Sequence, residues 1–118
     1  MEPDENAPGV TWVPQACTLP AADRPRRAAE FDGLFADAVR GFERAEPARL
    51  RLDLQPSPQI AGRAAELMVA EAGCCSFFAF TLTAATDRLA LEISVPAPYL
   101  GVLDALADRA AAAIGTAT

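Results

Sequence analysis

Two of the chain's three cysteines and three of its six phenylalanines fall within Glu71-Ala72-Gly73-Cys74-Cys75-Ser76-Phe77-Phe78-Ala79-Phe80. A thiolate is both a nucleophile and a soft ligand, so this is where chemistry is expected. Consecutive cysteines close only a strained ring with each other. In an extended segment they also point to opposite faces, so a site that uses both sulfurs needs a turn. Gly73 and Ser76 supply residues for one. If Cys17, from an extended segment far upstream, folds over that turn, Cys17, Cys74 and Cys75 form a trio of sulfurs. A sulfur trio without imidazole favours soft ions: mercuric ion, arsenite or Cu(I). Zinc is the harder alternative, because a structural zinc site normally has four ligands and the fourth would have to come from an acid such as Glu71. The C-x-x-C spacing of zinc ribbons is missing.

Other routes to catalysis are poorly served. The chain has no histidine, which removes the usual general base and the commonest nitrogen ligand. Glu66 and Glu71, five apart, make a poor acid–base pair, and there is no phosphate-cradling glycine loop and no G-x-S-x-G motif. The negative end of a helix dipole disfavours a bare thiolate just after a helix, and a bound cation reverses that penalty. No catalytic residue can be assigned. Three readings stand side by side: a thiolate site that binds a soft ion, a thiol-dependent lyase or reductase acting on organomercurial or arsenical compounds, and an interaction domain whose cysteines only pack.

The elements that must position these residues follow from periodicity. Residues 1–10 read as a flexible tail, and residues 11–116 as a single domain in which Trp12 anchors an extended, proline-broken segment. Asp23-Arg24-Pro25 starts a helix whose stripe of Phe31, Leu34, Phe35, Ala38, Val39 and Phe42 faces the core. Arg24, Arg26 and Arg27 read as its solvated first turn. Arg49 to Leu54 alternates as a half-buried strand. Ser57-Pro58 opens a second helix that Gly73 stops in a left-handed cap. Phe77 to Thr83 and Arg88 to Val95 read as a hairpin around Ala84-Ala85-Thr86-Asp87. A last helix runs from Tyr99 to about Ile114. The expected fold is α+β, a two-layer sandwich. Its three-stranded sheet combines a parallel β-α-β crossover with an antiparallel hairpin, beneath about three helices.

Composition narrows the partners. All ten basic residues are arginine, the net charge is −6 and the pI is about 4.5, which argues against nucleic acid. No run approaches the ~18 apolar residues of a membrane helix. The acidic start of the chain resembles no secretory signal, and an odd number of cysteines then points to free thiols in the cytoplasm rather than a disulfide framework. A sheet face left partly uncovered by three helices would allow a homodimer.

The combination of Cys17-Thr18-Leu19-Pro20, Ala29-Glu30-Phe31-Asp32-Gly33-Leu34-Phe35 and Gly73-Cys74-Cys75-Ser76-Phe77-Phe78-Ala79-Phe80-Thr81-Leu82 resembles a group of small actinobacterial proteins. Some of these occur beside metal-responsive MerR-type regulators. The likeness covers most of residues 15–113 and implies an intracellular protein associated with heavy-metal handling. A narrower likeness is to organomercurial lyases, which carry a Cys-Cys pair followed shortly by Phe-Phe, and a separate upstream cysteine. It implies that Cys17 and one of Cys74 or Cys75 bind mercury while an acid shuttles the proton. Those enzymes are larger, and no acid of this chain matches theirs.

Overall fold

The structure is a computed structural model that describes residues 21–117 of the 118-residue chain. The expectations for the tail, Trp12 and Cys17 lie outside the described residues.

A 3₁₀ turn at Ala21–Asp23 leads into α1 (Arg24–Ala38), with Pro25 in its first turn where a missing N–H costs nothing. Ala28, Phe31, Leu34, Phe35 and Ala38 are its buried stripe. The chain then turns straight into β1 (Val39–Glu46) and pairs back through β2 (Arg49–Leu54). α2 (Pro58–Cys74) starts as expected, with Ser57 Oγ accepting the Ile60 N–H at 3.1 Å. β3 (Ala79–Ala85) and β4 (Arg88–Ser94) form a hairpin, and α3 (Leu100–Ala117) closes the fold. The hairpin turn is Thr86-Asp87, and Asp87 adopts φ 63°, a left-handed conformation that aspartate tolerates better than most residues.

The expected class is correct: among the described residues three helices cover one face of an antiparallel sheet. The sheet itself differs. Among the described residues it has four strands in the order β1-β2-β4-β3, and every neighbouring pair is antiparallel. The parallel crossover pairing expected for residues 49–83 does not form, because β4 inserts between β2 and β3. The register shows why this arrangement wins. Leu50, Leu52 and Leu54 oppose Ile93, Leu91 and Leu89, and all six are buried. The two strands with the cleanest leucine alternation thus occupy the centre, and β3, whose Phe80 and Leu82 are only half-buried, takes the edge.

The fourth strand was expected to be helix. Val39 and Phe42 continue the three- and four-residue spacing of α1, but Val39 is extended (ψ 124°) and Phe42 is 38% exposed on an edge strand. Its polar neighbours are held by ion pairs across the sheet and to α3: Arg51–Glu43 at 3.7 Å, Arg49–Glu46 at 3.0 Å and Arg44–Asp104 at 2.7 Å. The helices divide the covered face. α3 lies against β1 and β2, α2 against β3, and α1 touches both helices. No helix among the described residues is long and apolar enough to cross a membrane.

Candidate thiol site

The buried face of α2 runs Ile60, Ala64, Met68, Glu71, Cys75, in steps of four, four, three and four. These residues share one stripe because such steps return to the same side of a helix. A carboxylate therefore occupies a core position, 2% exposed, one turn before the cysteines. Cys74 lies three residues after Glu71 and is half-buried beside this stripe.

A buried carboxylate needs a partner, and the first turn of α1 provides it. Arg27 Nη1 donates to Glu71 Oε1 at 2.5 Å, and Arg27 Nε lies 3.4 Å from Glu30 Oε1. The same guanidinium reaches Cys74. Burial works against the Arg27 cation, but Glu71 and then Cys74 outweigh it and leave the guanidinium above its ordinary value. Burial pushes the Glu71 carboxyl up from its usual value, and the hydrogen bond and charge of Arg27 offset this only in part. Of the three arginines expected in water, Arg24 and Arg27 are half-buried and only Arg26 is exposed. A groove of about 500 Å³ between α1 and α2, lined by Arg26, Arg27, Glu30, Arg63, Glu66 and Leu67, runs along this cation.

Gly73 does not stop the helix in a left-handed cap. It has no positive φ, and α2 continues through it to Cys74. The turn comes one residue later. Cys75 is extended (φ −125°, ψ 91°), its N–H still bonds Glu71 O at 2.7 Å, and its carbonyl accepts the Phe78 N–H at 3.2 Å. This change of backbone separates the two sulfurs' surroundings. Cys75 is 1% exposed within the core, and Cys74 stays at its margin. Beyond the turn Phe77 stacks on Tyr99, with centroids 4.3 Å apart and planes 6° apart, and Phe78 packs between Phe77 and Phe80. The phenylalanines serve as a wall that fixes the turn against the start of α3.

The redox states of the pair also differ. Cys74 carries a thiol, whereas Cys75 is disulfide-bonded. The expectation of three free thiols therefore fails at Cys75. Among the described residues no group of three or more Cys, His, Asp or Glu side chains is placed to hold a metal ion. The third candidate ligand, Cys17, lies outside the described residues. Glu71, expected as a fourth zinc ligand or as half of a poor acid–base pair with Glu66, is instead the partner of Arg27, a role its place in the sequence did not suggest. Its burial is signalled there, since Glu71 and Cys75 extend the stripe of Ile60, Ala64 and Met68.

The pairing has a pH consequence. Because the folded-state value of Glu71 lies above its ordinary 4.5, the stability it contributes is fully present below that value and is lost as pH rises through the folded value. Glu71→Gln removes this dependence. Urea unfolding from pH 4 to pH 7 should show the wild type losing ground to the variant as pH rises, by about 1.4 kcal/mol for each unit of upward displacement. A difference that is constant over that range would show that burial does not govern this carboxyl.

No family model matches the chain, and neither the curated proteins nor the solved structures include a significant match.

Proposed function

We propose that the reduced protein captures a soft metal or metalloid ion, such as Hg(II), As(III) or Cu(I), with Zn(II) as the harder alternative. Cys74 and Cys75 supply the principal sulfurs and Cys17 the third, for resistance or trafficking in the cytoplasm. The observation that carries this reading is the set of contacts around Cys74. Its sulfur lies at the margin of the core beside the Arg27 guanidinium, which a buried carboxylate holds in place. The guanidinium is thus a fixed cation at the end of α2, on which Cys74 sits. The disulfide at Cys75 makes reduction a precondition, because an oxidised sulfur is not a thiolate ligand.

The enzyme reading, a thiol-dependent lyase or reductase acting on organomercurial or arsenical compounds, is favoured by Glu71. A buried acid displaced toward its protonated form, one turn from Cys74, is a proton source for a departing carbon. Burial of Cys75 within the core favours the third reading, in which the cysteines serve the fold.

One titration separates them. Protein reduced and freed of reductant is titrated with mercuric ion, arsenite, Cu(I) and zinc, and the series is repeated with Cys17→Ser, Cys74→Ser and Cys75→Ser. Capture requires one equivalent bound with Kd below about 1 μM, weakened at least about tenfold by Cys74→Ser and by Cys75→Ser. Weak binding that ignores all three substitutions sinks the capture reading. Release of the hydrocarbon from an organomercurial, with loss of turnover in Glu71→Gln, marks the lyase instead.

A further inference from the structure

The two edges of the sheet are built differently. β1 carries Arg40, Glu43, Arg44 and Glu46, and its pairing with β2 is interrupted by two register shifts. Charges and bulges are the usual means by which an edge strand is kept from pairing with another chain. β3, Ala79-Phe80-Thr81-Leu82-Thr83-Ala84-Ala85, has neither. It has no charge, no proline and an unbroken register with β4 over all seven residues. Among the described residues no strand covers its outer side. The helix above it is also apolar there: Ala65, Val69 and Ala72 of α2 meet Phe80 and Leu82 along a groove of about 260 Å³. Val69 is 73% exposed.

We propose that β3 and this face of α2 form the interface of a homodimer, in which β3 pairs antiparallel with β3 of a second copy and the two sheets become one. The occupant is identified by charge. With a net charge of −6 two copies repel each other over most approaches, and a partner of opposite charge would find nothing to read on β3. A neutral strand can meet itself across a two-fold axis without placing like charges opposite each other. In any in-phase antiparallel register Phe80 and Leu82 stay on the helix side of both copies, where Val69 of each α2 closes over them. Thr81 and Thr83 meet on the open side. The interface is independent of the cysteines.

The full chain is measured by analytical ultracentrifugation, in reductant, across a dilution series, as wild type, Thr81→Lys, Val69→Lys and the β1 control Glu43→Gln. Thr81 and Val69 are exposed, and a thermal melt identifies any variant that has not folded, the other then deciding the test. A wild-type dimer whose Kd rises at least about tenfold in Thr81→Lys or Val69→Lys, but not in Glu43→Gln, is the expected result. A wild type that stays monomeric throughout, or is dimeric only without reductant, overturns the proposal. A dimer indifferent to both lysines does so too, because the copies then meet elsewhere.

Discussion

Arg27→Ala is expected to destabilise the protein by about 3 kcal/mol at pH 7, because removing one member of a buried ion pair leaves the other unpaired. Glu71 is 2% exposed and sits in the core stripe of α2, so water cannot replace the guanidinium. The loss must depend on pH with a definite sign. Without Arg27 only burial acts on the Glu71 carboxyl, which therefore rises further above its ordinary value. The variant's deficit is then largest where the unfolded chain ionises freely. It shrinks as pH falls below that point and Glu71 is protonated in both states. Urea unfolding at pH 7 and at pH 4 measures both parts. A deficit of the same size at both values would assign the effect to lost packing of the arginine stem rather than to charge. Arg27→Met/Glu71→Met supplies the complementary test. Removing both charges together is expected to recover most of the stability. A double variant as unstable as Arg27→Ala would mean that the pair contributes more than its desolvation costs. If the double variant folds but binds mercuric ion less tightly, the pair serves Cys74 and not the fold.

What the sequence revealed, and where it misled, follows from which contacts are local. β2 and α2 were legible because each carries its own pattern: alternating leucines in Arg49 to Leu54, and a Ser57 cap followed by a helical stripe. The sheet order was not legible, since the hairpin and the crossover are each compatible with several arrangements until β4 finds β2. Leu91 satisfies Leu52 on one side and Leu82 on the other, a non-local choice that no single window contains. The site was half-legible. The cysteines announce themselves by type, but their supports do not. Arg27 looks like a member of a solvated cluster until α1 is laid on α2, and Gly73 looks like a helix stop although the turn falls at Cys75. That two-residue difference decides the site, because it leaves Cys74 on the helix margin and sends Cys75 into the core.

β1 is the clearest case of a pattern that misleads, and it yields the second large effect. Phe35 and Phe42 belong to one heptad-spaced stripe in the sequence, and a continuous helix would bury both. In the structure the last α1 hydrogen bond runs from the Val39 N–H to Phe35 O, after which the chain leaves as an edge strand paired with β2. Phe35 is fully buried and meets Phe31 edge-on with ring centroids 5.9 Å apart, whereas Phe42 is 38% exposed. Phe35→Ala is expected to cost about 4 kcal/mol, about 15 °C in Tm, through lost transfer energy and the cavity it leaves. Phe42→Ala is expected to cost less than about 1 kcal/mol, because the ring already contacts water and an edge strand can relax around it. Thermal and urea unfolding of the two variants side by side decide the matter. Equal losses would mean that residues 39–42 continue α1 and that the sheet has three strands. β1 carries the charges and register shifts that discourage an edge strand from pairing with another chain, which is why the proposed dimer is placed on β3.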